Sequence, residues 1–236
     1  PGGHVLVFDD ITAMLQAQRE AAWGEVARRL AHEIKNPLTP IRLSAERMRH
    51  RLMPSLDEKD AKLLDRGTET IVQQVEAMKE MVNAFSEYAR APRFEMAEVD
   101  LNKLVAELTD LYRAQFAGRG VTLQVRLEPA LSGVVADRGR LRQLLHNLIT
   151  NAAEALEGRP GGAISVTTRL VGRDDAEVAE LAVEDNGPGF QRELIGQIFD
   201  PYVTTKARGT GLGLAIVRKI VEEHGGHVEA ENRAEG

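Results

Sequence analysis

The 236-residue chain has no cysteine and few aromatic residues. The missing cysteine excludes disulfide bonds, thiolate metal sites and cysteine catalysis, and it is compatible with a reducing compartment. Aromatic residues make up 4% of the chain, whereas hydrophobic residues as a whole make up 43%. This balance favours helix-rich packing by leucine, valine, alanine and isoleucine.

Long apolar runs and an excess of basic residues are also missing. No run approaches the roughly 20 apolar residues of a membrane helix, and no signal peptide is visible. The net charge of −6 argues against direct nucleic-acid binding, which usually needs a basic face. We therefore expect this part of the protein in the cytoplasm. Because the chain opens at Pro1 without a methionine, we expect it to be a fragment of a longer protein. An inner-membrane anchor in the full-length protein is an open alternative.

Apolar residues recur at helical spacing from about Ala13 to Leu52 and again after a break at Met53-Pro54. Two helices joined by a short break form an antiparallel hairpin, and one hairpin cannot bury both apolar stripes. The pattern therefore predicts a homodimeric four-helix bundle. The first stripe is Leu30, Ile34, Leu38, Ile41, Ala45, Met48 and Leu52; the second is Leu64, Ile71, Val75, Met78, Val82, Phe85 and Ala89.

The first helix contains the hexapeptide His32-Glu33-Ile34-Lys35-Asn36-Pro37. Alone it is ambiguous, since a helical histidine is most often an ordinary surface or core residue. Pro37 and Pro40 each lack an N–H group, so the helix either bends or ends near Asn36. The apolar phase continues unbroken through Leu38 and Ile41, and this favours a bend.

Helices and strands alternate in the second half of the chain, which predicts a compact layered α/β domain. Helices are expected over 101–116, 138–156 and 212–223, and strands over 121–127, 134–136, 163–170, 181–184 and 227–231. The expected fold class of the whole chain is α+β, with a helical hairpin followed by an α/β sandwich.

Three segments of this domain suggest a nucleotide site. Gly209-Thr210-Gly211-Leu212-Gly213 runs into an apolar helix, so its N–H groups suit phosphate, although a glycine-rich turn is the alternative. Asp185 follows a strand, where a buried carboxylate suits the amine of adenine; with Asn186-Gly187, a plain hairpin turn is the alternative. Asn147 and Asn151 share one helical face, and their amide oxygens suit hydrated Mg²⁺; two solvated amides are the alternative.

Together these motifs resemble the ATP-binding domain of sensor histidine kinases, which gyrase and heat-shock-90 ATPases share. The residues that carry the resemblance are Asn151, Asp185-x-Gly187-x-Gly189, Phe199-Asp200-Pro201-Tyr202 and the 209–213 box, with His32-Glu33-x-x-Asn36-Pro37 resembling the phosphoacceptor box. The amino-acid sequence of these segments is most similar to that of the nitrogen-regulation (NtrY/NtrB-like) branch. The resemblance covers residues 13–236.

The resemblance implies four segments. Residues 1–12 would be a remnant of an upstream PAS-like sensor domain, and 13–92 the dimerisation and phosphotransfer hairpin. Residues 93–99 would be a linker, and 100–236 the catalytic ATP-binding domain, with its last strand cut.

The resemblance also implies roles at the nucleotide site. Asp185 would bind the adenine amine, Asn151 would hold Mg²⁺, and Asn147 stands where related ATPases have a water-activating glutamate. Lys206, followed by Arg208, is the candidate for the terminal phosphate, with a solvated basic loop as the alternative. Many relatives carry a lysine where this chain has Glu154. Other groups would therefore have to offset the negative charge of the phosphates, and His146 is one candidate. The other candidate nucleotide-binding residues are Gly187, Gly189, Phe199, Tyr202, Gly209, Thr210, Gly211, Leu212 and Gly213.

On the hairpin the resemblance implies that His32 attacks ATP and Glu33 orients the ring, while Asn36 serves dephosphorylation of a partner. That partner would be the receiver domain of a response regulator. Two alternatives remain at this stage. One is a clamp or chaperone-like ATPase of the same nucleotide fold, and the other is a non-catalytic dimeric scaffold.

Overall fold

A computed structural model describes residues 12–89, 95–131, 133–173, 176–206 and 209–233. The sensor-domain remnant expected over residues 1–12 falls almost entirely in residues 1–11, outside the described ones. The chain divides into two compact units, Pro1–Pro92 and Arg93–Gly236, and each is described by itself. Among the described residues, no helix combines the length and apolar character needed to cross a membrane.

The first unit is a helical hairpin. Helix α1 (Thr12–Leu52) leads through a short 3-10 turn (Met53–Ser55) into helix α2 (Glu58–Ala89). Helix α1 continues through Pro37 and Pro40, so it does not end at Asn36, as the unbroken apolar phase predicted. Ion pairs from α1 to α2 tie the two helices together: Arg42 lies 3.6 Å from Glu76 and Arg49 lies 2.7 Å from Asp65.

The apolar stripe predicted on α1 is in fact two neighbouring stripes. Within the hairpin, α1 buries Ala27, Ala31, Leu38 and Ala45, and α2 buries Val75, Val82 and Ala89. Only Leu38 and Ala45 belong to the predicted stripe. At about 100° per residue the remainder lies some 55° around the helix, so α2 does not cover it. These exposed residues are Leu30, Ile34, Ile41, Met48 and Leu52, joined on α2 by Ile71 and Met78.

The second unit is a layered domain of three helices and five strands, as described. Its elements are β1 (Met96–Val99), α3 (Leu101–Ala117), β2 (Thr122–Arg126), β3 (Val134–Asp137), α4 (Arg138–Ala155), β4 (Ala163–Arg173), β5 (Ala176–Asp185), a 3-10 turn (Ile195–Gln197) and α5 (Gly213–Glu223).

The larger sheet has the strand order β2-β4-β5, with β2 parallel and β5 antiparallel to β4. Strands β1 and β3 form a separate antiparallel pair. The core lies between the larger sheet and helices α3 and α4, and it contains Leu104, Val105, Leu145, Ile149, Ile164 and Val166 at 0% exposure. The helical hairpin and the layered domain confirm the predicted α+β class.

Two segments differ from the sequence expectation. Part of the predicted linker, residues 96–99, is strand β1, because it pairs with β3 and buries Val99. The expected closing strand over 227–231 is wrong, since these residues form no strand. Side chains hold the segment that follows instead. The Asn232 amide exchanges hydrogen bonds with the backbone of Phe190, and Arg233 pairs with Glu184.

Asp137 fixes the start of α4. Its carboxylate accepts N–H hydrogen bonds from Arg140 at 3.0 Å and from Glu95 at 3.1 Å. Burial would by itself raise the pKa of Asp137, but the hydrogen bonds from these N–H groups and the Arg140 charge together hold it below its ordinary value. Asp137 therefore ties the β1 entry to the N-terminus of the helix that carries much of the candidate site.

Candidate functional site

Helix α4 has one face in the core and one polar face. Leu144, Leu145 and Ile149 are buried, while Asn147, Asn151 and Glu154 lie outside that face. The Asn147 Nδ2 atom is itself buried and has no hydrogen-bond partner among the described residues. Because an unpaired buried amide is costly, its position fits a group completed by a bound ligand.

Asp185 ends β5 and bends the chain at the C-terminal end of α4. Its Oδ1 accepts the Gly187 N–H at 2.8 Å, and a Cβ added at Gly187 would lie 2.5 Å from that oxygen and 3.1 Å from Ala155 Cβ. No strand follows among residues 186–206, so the hairpin alternative is wrong. Asp185 is exposed, so the expectation that its carboxylate is buried is wrong.

The glycine box meets α4 at Asn151. Helix α5 begins at Gly213 with no side-chain cap, so N–H groups of its first turn lack the usual partner. A Cβ added at Gly213 would lie 3.8 Å from Asn151 Nδ2. The Leu212 N–H is held by Thr210 Oγ1 at 3.3 Å. This arrangement suits phosphate groups next to the Asn151 amide.

The segment between Asp185 and the glycine box brings a lysine to α4. The Lys206 Nζ atom lies 2.6 Å from Glu154 Oε2 and 3.1 Å from Asn151 Oδ1. Phe199 is half-buried and Tyr202 is exposed. Arg208, the second candidate for binding the terminal phosphate, lies outside the described residues.

The residues present fit a magnesium–nucleotide complex. The described residues contain no group of three His, Cys, Asp or Glu that could hold a metal ion by itself. Asn151 Oδ1 already faces a cation, the Lys206 ammonium. Magnesium usually keeps waters and takes one or two protein oxygens together with substrate phosphates. Asn151 with the phosphates of a nucleotide would supply such a set.

His146 does not join this site. Its ring contacts the Tyr112 hydroxyl on α3 through a short hydrogen bond and stacks on the tyrosine ring. The suggestion that His146 meets phosphate charge is therefore not supported by its position. Burial raises the pKa of Tyr112, which keeps its hydroxyl protonated.

In the hairpin, His32 is exposed and its neighbour is Asn36. The Asn36 Nδ2 atom lies 3.4 Å from His32 Nδ1, whereas Glu33 pairs with Arg29 at 3.1 Å. Glu33 therefore does not contact the ring in this structure, since residues one apart on a helix do not face each other, and its orienting role stays a prediction. Turned by 180°, the Asn36 amide would offer its oxygen to an Nδ1–H group, leaving the Nε2 lone pair free.

Sequence reasoning missed two asparagines that shape the nucleotide site. Asn186 accepts the Ala163 N–H at 2.7 Å and donates to the Gly161 carbonyl at 3.0 Å, which anchors the bend after Asp185 to the start of β4. Asn232 holds the backbone of Phe190 from the far end of the chain. The Asn-Gly pair was visible but was interpreted as a turn signal; Asn232 had no local signal.

These two units define a class, a phosphoacceptor-type helical hairpin followed by an ATPase-type domain. Residues 22–93 match the His Kinase A (phospho-acceptor) domain. Residues 136–236 match the histidine kinase-, DNA gyrase B- and HSP90-like ATPase family. The chain belongs to the sensor histidine kinases, in their NtrY/NtrB-like branch.

Relatives and solved structures agree with this assignment. The nitrogen regulation protein NtrY of Azorhizobium caulinodans is 41% identical over 99% of this chain and 30% of its own length. The sensory histidine kinase/phosphatase NtrB of Rhizobium leguminosarum bv. phaseoli is 34% identical over 99% of this chain and 63% of its own length. The chain thus spans only part of these relatives.

Among solved structures, the catalytic domain of histidine kinase ThkA is 35% identical, with a TM-score of 0.53 over 60% of this chain and 90% of that one. ThkA in complex with the response regulator protein TrrA is 30% identical, with a TM-score of 0.63 over 93% of this chain and 60% of that one.

Proposed function

We propose that this chain is the kinase core of an ATP-dependent protein-histidine kinase that phosphorylates itself on His32. The observation that carries the proposal is the convergence on α4 of Asn147, Asn151, Lys206 and Gly213, in a chain that also presents His32 on an exposed helix face. Asp185, at the end of the same helix, would recognise the adenine amine.

In the reaction a ring nitrogen of His32 attacks the γ-phosphorus of ATP as the bond to the β–γ bridging oxygen breaks, and ADP leaves. The attacking nitrogen uses the lone pair of the neutral imidazole, and the proton on the other nitrogen is lost as the phosphohistidine forms. Asn36 can hold Nδ1–H through its oxygen, so that Nε2 attacks. Magnesium, held by Asn151 and the phosphates, would offset phosphate charge.

The phosphoryl group then passes from His32 to an aspartate of a response-regulator receiver domain. The P–N bond breaks and an acyl phosphate forms. Asn36, one turn from the nucleophile, would place water for the reverse task, hydrolysis of the regulator's acyl phosphate. The relative named nitrogen regulation protein NtrY supports a role in nitrogen regulation. This part of the protein would work in the cytoplasm. A membrane anchor in the full-length protein is compatible with the short span that this chain covers.

The working form would be a homodimer. The exposed stripe of α1 and the matching residues of α2 give each hairpin an uncovered apolar face. Two hairpins that share this face form a four-helix bundle, and His32 stays outside because it lies about 180° from Ile41 around α1.

One labelling experiment tests the kinase assignment. The chain, His32→Ala and Asp185→Asn are each incubated with γ-labelled ATP and Mg²⁺, and nucleotide binding is titrated in parallel. We expect acid-labile, base-stable label on the unchanged chain only. His32→Ala should still bind nucleotide, whereas Asp185→Asn should lose binding without losing helical circular dichroism. Label that persists in His32→Ala would refute the assignment. Rapid steady-state hydrolysis without label would favour the clamp-type ATPase.

A further inference from the structure

The Lys206 ammonium occupies the place where a metal ion would meet α4. It lies 3.1 Å from Asn151 Oδ1 and 2.6 Å from Glu154 Oε2. Asn151 and Glu154 are three residues apart, so both side chains project from one helical face. One neutral oxygen and one carboxylate oxygen thus converge on a single positive charge.

The backbone holds Lys206 in this position. Its N–H donates to Thr204 Oγ1 at 3.1 Å, and its carbonyl accepts the Gly209 N–H at 3.1 Å. A Cβ added at Gly209 would overlap Thr204 Oγ1 and lie 3.0 Å from Lys206 Cβ. The backbone of Lys206 is therefore tied to both Thr204 and Gly209.

The ammonium and a magnesium ion cannot share Asn151 Oδ1. Magnesium binds oxygen at roughly 2.0–2.1 Å, and two cations on one neutral oxygen repel each other with little solvent between them. A nucleotide that brings Mg²⁺ must displace Lys206, whereas a nucleotide without Mg²⁺ can leave Lys206 in place to face its phosphates.

We propose that Lys206 is a placeholder for Mg²⁺ at Asn151, and that Glu154 is the positioning residue that holds it there. This inference rests on the proposed function. Binding of the magnesium–nucleotide complex breaks the contact between Lys206 and Glu154 and frees the ammonium to move to the terminal phosphate. Glu154 thereby lowers the gain in affinity that Mg²⁺ brings.

The quantity to measure is the magnesium factor, defined as the dissociation constant of a non-hydrolysable ATP analogue in EDTA divided by that in Mg²⁺. Direct repulsion between Glu154 and phosphate enters both constants and cancels. In Glu154→Gln the Lys206 ammonium leaves more easily, so only binding with Mg²⁺ improves. Since exposed ion pairs are weak, the factor should rise about two- to fivefold.

A double-mutant cycle tests whether Glu154 acts through Lys206. The magnesium factor is titrated for the chain, Glu154→Gln, Lys206→Met and the double variant. Lys206→Met should raise the factor, and adding Glu154→Gln to it should change nothing further. Glu157→Gln removes the same charge three residues along and should leave the factor unaltered. Circular dichroism and thermal melting check that every variant folds.

Three results would overturn the placeholder. A factor that falls in Glu154→Gln would make Glu154 a magnesium ligand. An unchanged factor would show that the ion pair has no part in binding. An equal rise with and without Lys206 would show that Glu154 acts directly. If the unchanged chain binds no nucleotide, both the kinase proposal and this inference fail. If the unchanged chain binds nucleotide more tightly with Mg²⁺ but the variants leave the magnesium factor unaltered, only this inference is refuted.

Discussion

The Tyr202 N–H donates a 2.9 Å hydrogen bond to the Gly211 carbonyl, and both residues have left-handed backbones, with φ of 68° and 66°. A Cβ added at Gly211 would lie 2.5 Å from the Tyr202 carbonyl carbon and 2.7 Å from its Cα. The segment around Tyr202 and the glycine box therefore lie backbone against backbone. A tyrosine in this conformation is unusual, and the contact with a glycine makes room for it.

Gly211→Ala should destabilise the ATP-binding domain and weaken nucleotide binding. The left-handed conformation alone costs a residue with a Cβ about 1–2 kcal/mol, and the overlap with Tyr202 adds to it. Gly196→Ala is the matched control, because nothing lies within 4 Å of its added Cβ, and its effect should stay within about 0.5 kcal/mol. Urea unfolding of both variants checks this. Equal midpoints would contradict the account.

Asp137→Asn should cost stability at neutral pH and progressively less in acid. The pKa of Asp137 in the folded protein lies below the ordinary value of an aspartate. Its ionised form therefore stabilises the fold above the unfolded pKa, and this stabilisation is lost as pH falls through the folded pKa. Asparagine is an equally good cap, but its Nδ2 cannot accept the Glu95 N–H that Oδ2 of Asp137 accepts, and that loss does not depend on pH. The part of the difference that changes with pH reports the charge, worth about 0.3–1 kcal/mol at a helix N-terminus.

The measurement for Asp137 is urea unfolding of both proteins between pH 7 and pH 3. Asp110→Asn makes the same chemical change at an exposed position paired only at the surface with Arg113, and it should have little effect at any pH. A gap between Asp137→Asn and the unchanged chain that stays constant down to pH 3 would exclude the charge as its cause.

Much of the architecture follows from the sequence because it depends on local rules. Asn147 and Asn151 lie four residues apart, so a helix places them together whatever surrounds it. Asp185 was placed at a strand end by the apolar run before it. The same helical spacing also predicts the ion pair between Glu33 and Arg29, because the two residues lie four apart.

Other parts of the site depend on contacts that the sequence does not encode locally. Lys206 meets Glu154 across 52 residues, and Asn232 holds Phe190 across 42. Which side chain of α4 meets Lys206 depends on how the segment between Asp185 and the glycine box packs. The sequence pattern predicts one stripe on α1 instead of two for another reason. Apolar residues three or four positions apart count as one face even when they lie some 55° apart around the helix.

Ile41→Glu should convert the dimer into a monomer. Ile41 lies in the centre of the uncovered stripe and is 46% exposed in a single hairpin, so a second hairpin would bury it. A charge buried without a partner costs several kcal/mol. Leu43 on the same helix is 47% exposed, but it lies about 160° from Ile41 around the axis. Leu43→Glu should therefore stay dimeric in sedimentation equilibrium, and dissociation of both variants alike would refute the assigned face.

Asn36→Ala should impair dephosphorylation of the regulator far more than autophosphorylation. The Asn36 amide lies 3.4 Å from His32 Nδ1 and is exposed beside it, where it can hold water in front of a docked acyl phosphate. Loss of one positioned polar group in a transition state costs roughly 100-fold, whereas His32 keeps its nucleophilic nitrogen.

The partner is first found by phosphotransfer to a panel of receiver domains. Decay of its phosphorylated form is then followed with the unchanged chain, Asn36→Ala and the control Thr39→Ala, which lies further along the same face. Equal losses in both reactions would place Asn36 in ring orientation rather than in hydrolysis.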